Sequence, residues 1–160
     1  NREILAYRVR PIAGLIAAGL APALMISHSR VPARDPENNA SLSAAVMKTW
    51  LRGELGFRGI IIADDFTMAA ATASGLGPEE AAVKSLAAGA DMVLTWPGNI
   101  RRTHRAILAA LERGDLSREE LQKSVERILA EKLRRGLIRG DQAMRSFDGG
   151  PFRMYNLVYL

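Results

Sequence analysis

The chain has 160 residues, 48% of them hydrophobic, which is enough apolar surface for one domain-sized core and too much for a disordered tail. No apolar run approaches the roughly 20 residues that cross a bilayer, and the absence of cysteine excludes disulfides and thiolate metal sites. The net charge of +5 raises nucleic acid as a partner, but the arginines are scattered (Arg8, Arg10, Arg30, Arg34, Arg101, Arg102, Arg134, Arg135) and two Trp, three Tyr and four Phe make no stacking platform, so solvated helix faces account for them.

Residues 3–19 carry Ile4, Leu5, Ile12, Leu15 and Ile16 at helical spacing with Gly19 as a stop, and predict a helix interrupted or begun near Pro11. A short apolar strand over 23–27 follows, then a Pro-, Asn- and Ser-rich loop over 30–41. Ser43 is placed to cap the next helix, which runs to about residue 55 and turns Val46, Met47, Trp50 and Leu51 inward. Ile60, Ile61 and Ile62 lack the polar alternation of a half-exposed strand and predict a parallel strand buried on both faces, ending in the adjacent carboxylates Asp64 and Asp65. Taken alone, an Asp after a strand is as often a turn or a cap as a functional group.

Beyond Met68 an Ala-rich segment reads as a short helix or a loop, because Ala favours helix while Gly75 and Gly77 break it. Pro78 with Glu79 and Glu80 in a first turn, and Gly89 as a stop, frame a helix followed by a strand over 91–95 that Trp96-Pro97-Gly98-Asn99 ends. Ile100, Ile107, Leu108 and Leu111 share one helical face before Gly114. Ser117 and Glu120 then form a capping box ahead of Leu121, Val125, Ile128, Leu129 and Leu133, in a helix that stops at Gly136. Strands alternating with helices predict parallel βαβ units. From 139 to 160 there is no periodicity, and the apolar ending Tyr155-Asn156-Leu157-Val158-Tyr159-Leu160 fits a strand, a docking segment or foreign sequence.

The run Leu51-Arg52-Gly53-Glu54-Leu55-Gly56-Phe57, then Gly59, then Ala63-Asp64-Asp65-Phe66-Thr67-Met68, resembles the signature of family 3 glycoside hydrolases, and most of all their β-N-acetylglucosaminidase branch. The likeness continues upstream in Ala23-Leu24-Met25-Ile26-Ser27-His28 and Ser41-Leu42-Ser43. Downstream it takes in Ala87-Ala88-Gly89-Ala90-Asp91-Met92-Val93-Leu94, Gly114-Asp115-Leu116-Ser117 and the arginine-bearing helix closing at Lys132. Several motifs in the right order over roughly residues 10–138 make a chance match remote. The doubled Asp64-Asp65 favours this branch over the β-glucosidases, which usually carry an aromatic after the nucleophile.

The resemblance implies an α/β fold comprising about the last three βα units of a (β/α)8 TIM-type barrel, with residues 1–138 in the barrel domain and 139–160 a tail. A complete eight-stranded barrel takes about 250 residues, so the chain is expected to be part of one. Asn1 starts no signal peptide, and an upstream segment is expected. The implied activity is retaining hydrolysis of terminal β-linked N-acetylglucosamine from peptidoglycan-derived saccharides, in the cytoplasm. The implied partner is a carbohydrate, not nucleic acid or a membrane, and no metal or cofactor is implied.

Such a reaction needs a carboxylate nucleophile and a proton donor. By resemblance Asp64 stands at the nucleophile position, and His28, Met25 and Asp65 are candidates for the sugar pocket. The residues themselves leave alternatives: Asp65 as a cap of the following turn, and His28 as a pocket wall or a hydrogen-bonded structural histidine. His104 is expected to face solvent and Met68 to fill the core, while Trp96 suits either stacking on a sugar or closing the rim. The branch's acid/base, a His with a partnering Asp on a loop after a "KHFPGHG"-like segment, has no counterpart here, so the chain alone is expected to be inactive. Ala63 replaces the usual Ser or Thr, removing a hydroxyl expected to bond beside Asp64, and Phe66 replaces the usual Leu. The alternative reading is a non-catalytic half-barrel that covers its open strand edges by assembling with itself or with a separate N-terminal half.

Overall fold

The computed structural model describes residues 2–68 and 75–139; the Ala-rich segment at 69–74 and the stretch 140–160 lie outside the described residues. Two compact units are present, Asn1–Arg127 and Ile128–Leu160.

In the first unit, helix α1 (Arg2–Ala17) leads into strand β1 (Ala23–Ile26). Pro11 lies inside α1 and does not interrupt it. Proline forgoes one amide hydrogen bond but fixes φ near its helical value, so the helix can continue through it. The expected loop over 30–41 instead contains a short antiparallel pair, β2 (Arg30–Val31) and β3 (Asp35–Asn39), followed by a 3-10 turn at Ala40–Leu42. Side chains order this segment where apolar periodicity is missing. Asp35 Oδ1 accepts the amide N–H groups of Glu37 and Asn38, each at 3.0 Å, and Oδ2 accepts the Ser43 hydroxyl at 2.6 Å.

Helix α2 (Ala45–Glu54) buries Val46, Met47, Trp50 and Leu51, as their spacing predicts. Ser43 Oγ accepts the Val46 N–H at 3.1 Å and so caps it. The helix is wound with π-type bonding, ending in a Leu55 N–H that reaches Trp50 O at 2.9 Å. Strand β4 (Ile60–Ala63) comes next, and glycine is obligatory just before it. A Cβ at Gly59 would lie 2.4 Å from the Pro22 carbonyl oxygen and 2.7 Å from the Phe57 ring. Only a bare Cα lets β4 start against the residue preceding β1.

Helix α3 (Pro78–Ala88) starts on Pro78 and ends at Gly89, whose φ of 115° is open to glycine and strained for other residues. Strand β5 (Met92–Val93) is shorter than the five residues expected, and Pro97 opens a 3-10 turn soon after it. Helix α4 (Ile100–Arg113) exposes His104, as expected. Helix α5 (Arg118–Arg134) begins at the predicted cap, with Glu120 N–H donating to Ser117 Oγ at 3.3 Å. In the second unit, Arg134 and Arg135 both bond Glu131 in the last turns of α5, and the chain leaves the helix at Gly136.

The strands β1, β4 and β5 form one parallel sheet in the order β1-β4-β5. Alternation gives the sheet two unlike faces. Leu24 and Ile26, Ile61 and Ala63, and Val93 point one way into a core shared with Met47 and Leu51 of α2 and Ala81, Ala82 and Ala88 of α3. Met25, Ile62 and Met92 form one register row on the other face, which is only partly covered: Met25 is 58% exposed, and Ile62 and Met92 are half-buried. Burial on both faces therefore holds for Ile60 and Ile61 and fails for Ile62.

The N-terminal rim of the sheet is fastened by Asp91. Its buried carboxylate accepts Arg52 of α2 at 2.6 Å, Arg127 of α5 at 2.9 Å and the backbone N–H of Ile61 at 2.8 Å. Arg52 also donates to the carbonyls of Phe57 and Gly59, at 3.2 and 3.0 Å. Burial lowers the Arg52 pKa from its ordinary value, and Asp91 opposes that shift.

Removing the Asp91 charge leaves two partly buried guanidinium groups unpaired. Asp91→Asn is expected to lower stability by about 3 kcal/mol, read as a reduced urea midpoint; a change within a few tenths would mean the clamp carries no weight. Asp35 gives a pH signature. The Ser43 hydroxyl bond, with help from Asn38 and Glu37, holds its pKa at about 2 against an ordinary 3.8. A depressed carboxyl pKa stabilises the fold above the ordinary value and loses that contribution as pH falls through the folded one. Stability should therefore fall between about pH 4 and pH 2, and Ser43→Ala should flatten that slope and move the Asp35 carboxyl titration upward in NMR.

Candidate active site

The opposite ends of the same strands converge on Asp64. Its backbone N–H donates to Ile26 O at 3.1 Å and the Leu94 N–H donates to Ala63 O at 2.9 Å, which extends the parallel ladder one row beyond β1, β4 and β5. That row consists of Ser27, Asp64 and Leu94. Alternation puts Asp64 on the face of Ile62, so the half-exposed carboxylate stands above the Met25–Ile62–Met92 row. Ala63 points the other way and is fully buried in the core. A hydroxyl at position 63 would face the helices, and its expected place beside Asp64 is corrected by the pleat.

Local bonding aims the carboxylate. Asp64 Oδ1 accepts the Asp65 N–H at 2.9 Å. Asp65 is 8% exposed and closes the turn: Oδ1 accepts the Thr67 N–H at 2.9 Å and Oδ2 the Thr67 hydroxyl at 2.7 Å. Both its oxygens are thus engaged in holding the turn, the capping role of an Asx motif.

His28 lies two residues past β1 at the same rim and is 6% exposed. Its Nε2 is 2.9 Å from the Asp65 carbonyl oxygen, its Nδ1 is 2.8 Å from Ser41 Oγ, and its ring lies 4.9 Å from that of buried Phe66. With both nitrogens engaged, His28 supports the wall behind Asp64. Met25 lies on the Asp64 face, and Trp96, two residues beyond Leu94, is 64% exposed and free to stack. Met68 is 46% exposed, so the expectation that it fills the core is corrected: it follows the turn that Asp65 closes and stands outside the sheet's packed face.

Two residues that hold the structure around the site had no local signal in the sequence. Ser41 is fully buried and reaches His28 across 13 positions, and Asp91 gathers partners 30 to 39 positions away. Only the motif order around them marks either. Among the described residues, no group of three His, Cys, Asp or Glu side chains is placed to hold a metal ion.

Residues 1–130 match the family described as Glycosyl hydrolase family 3 N terminal domain. A beta-hexosaminidase of Vibrio cholerae serotype O1 is 40% identical over 94 residues, covering 59% of this chain and 28% of that protein. A beta-hexosaminidase of Tolumonas auensis is 39% identical over 118 residues, covering 74% of this chain and 34% of that protein. The chain thus spans about a third or less of the length of these relatives. Among solved structures, a glycoside hydrolase family 3 beta-N-acetylglucosaminidase from Paenibacillus sp. matches with a TM-score of 0.74 and 36% identity, over 81% of this chain and 25% of that one. A beta-N-acetylhexosaminidase from Beutenbergia cavernae matches with a TM-score of 0.69 and 28% identity, over 78% of this chain and 37% of that one. With most of its length matched by that family and its parallel α/β fold shared with solved members, the chain belongs to glycosyl hydrolase family 3.

Proposed function

We propose that the protein is a retaining β-N-acetylglucosaminidase, acting on terminal β-linked N-acetylglucosamine of peptidoglycan-derived saccharides, with Asp64 as nucleophile and this chain as the last βα units of its barrel. The observation that carries this reading is the half-exposed Asp64 carboxylate at the C-terminal end of the central strand, on the partly covered face and tethered by the Asp65 amide. Barrel enzymes carry their reacting groups at that end. The name of the Paenibacillus relative, a beta-N-acetylglucosaminidase, supports the choice of sugar, and the Vibrio and Tolumonas relatives are named beta-hexosaminidases.

In the proposed reaction a carboxylate oxygen of Asp64 attacks the anomeric carbon as the glycosidic bond breaks, and an acid gives its proton to the departing oxygen. Water then attacks the anomeric carbon of the glycosyl-enzyme ester on the face away from Asp64, giving a proton to the conjugate base of that acid, and the bond to Asp64 breaks to restore its carboxylate and release the sugar with its configuration retained. His28 has both ring nitrogens engaged and His104 is exposed on α4, so neither is assigned as the acid. That group is expected from residues outside this sequence.

The assignment is tested in the full-length protein. Asp64→Asn should abolish hydrolysis of a chromogenic N-acetylglucosaminide while preserving the fold, because an amide cannot form the ester. Asp65→Asn should cost about 0.5 to 2 kcal/mol of stability through the weakened turn and spare more of the activity. A mechanism-based fluorosugar should label Asp64; a label on Asp65, or near-normal turnover by Asp64→Asn, would overturn the assignment.

A second reading, a half-barrel that acts by assembly, is favoured by the partly covered Met25–Ile62–Met92 row between two edge strands. It calls for the 17.4 kDa chain to elute from size exclusion as an associated species. A compact monomer would remove this reading.

A further inference from the structure

We infer that His28 is a positioning residue: locked as its Nε2–H tautomer, it pins the Asp65 carbonyl and through that residue sets the direction of the Asp64 carboxylate. The catalytic consequence rests on the proposed role of Asp64; the tautomer and the tether do not.

The tautomer follows from the identity of the partners. A carbonyl oxygen only accepts, so the 2.9 Å contact with Asp65 O requires the proton on His28 Nε2. In neutral imidazole Nδ1 is then the acceptor, and the Ser41 hydroxyl, 2.8 Å away, must donate to it. Ser41 is fully buried and sits in the 3-10 turn before α2, so the donor is held by secondary structure. The Phe66 ring packs against the imidazole, the ring centroids 4.9 Å apart.

The tether follows from the bonding of one residue at both ends. The Asp65 N–H holds Asp64 Oδ1 at 2.9 Å, and the Asp65 carbonyl is held by His28. The side chain of Asp65 is engaged with Thr67 on the other flank. The backbone of Asp64 is already tied to β1 through Ile26 O, and the Asp65 carbonyl also accepts the Met68 N–H at 3.2 Å within the turn. His28, two residues past β1, adds the side-chain contact that ties the Asp65 carbonyl to the neighbouring strand. Without it the Asp65 peptide can tilt about the remaining backbone bonds, and the Asp64 carboxylate that its N–H holds loses part of its bearing relative to the Met25–Ile62–Met92 row.

Two arms test this. In the isotopically labelled 160-residue chain, long-range ¹⁵N–¹H correlation should find the neutral His28 ring protonated at Nε2 and bare at Nδ1; a dominant Nδ1–H form would overturn the inference. In the full-length protein, His28→Phe keeps the ring and its packing but removes the donor, and should lower kcat by about 10- to 100-fold with little change in KM. His28→Gln, whose amide N–H extends to the position of Nε2, should recover most of that loss, and it also serves if the Phe variant folds poorly. Wild-type kcat in His28→Phe, or no recovery in a folded His28→Gln, would overturn the positioning role. The two readings fail separately: an active Asp64→Asn refutes the nucleophile and leaves the tautomer result standing, whereas an inactive Asp64→Asn with a fully active His28→Phe refutes only the positioning role.

Discussion

One buried carboxylate organises this fold. Asp91 sits where β5 begins and draws to itself a guanidinium from α2, another from α5 and the first fully buried amide of β4. An isolated charge at that depth would cost several kcal/mol in lost hydration. Three donors compensate it, and those donors come from elements that are far apart in the chain. Arg52 then passes the constraint on, since the same guanidinium bonds the carbonyls of Phe57 and Gly59 that lead into β4. The clamp fixes where β4 and β5 begin, and α2 and α3 pack on the buried face of the sheet.

The two ends of the sheet divide the work. At the lower rim the contacts are charged, buried and fully compensated, which favours rigidity. At the upper rim Asp64 is half-exposed, with one bond to a neighbouring amide. A group that is to form and break a covalent bond needs free lone pairs and a constant direction. The Asp65 turn and His28 supply the direction, the Asp65 N–H holding one carboxylate oxygen of Asp64. Four residues of strand separate the two regimes, so rigidity at one end is transmitted to the other with little slack.

What the sequence made legible is what depends on neighbours within a turn or two. Ser43 before α2, Pro78 and Gly89 around α3, and Ser117 at α5 announce their helices through capping chemistry and act so in the structure, whereas the Glu120 carboxylate of the expected capping box pairs with Lys123. The strand and helix alternation likewise carried the parallel sheet. Contacts that join distant positions were not legible. His28 meets Asp65 across 37 positions, and nothing in the local pattern marks Ser41 as its donor. The β2–β3 pair was hidden because Asp35 side-chain bonds, not apolar periodicity, shape it. Ala63 shows a third limit: read as a residue beside Asp64 in the sequence, it is on the opposite side of the sheet in space.

That pleat places a rule of parity on the gene segment encoding β4. Gly59 is fixed by its approach to Pro22, and Asp64 must emerge on the same side as Ile62. The number of residues between them can therefore change only by twos. Losing one isoleucine would rotate every later side chain to the other face, driving the Asp64 carboxylate toward the alanines of α3 and turning a core residue outward. Substitutions within Ile60–Ile62 that keep an apolar side chain should be far better tolerated than any single-codon insertion or deletion, so drift in this strand is open in composition and closed to odd changes of length.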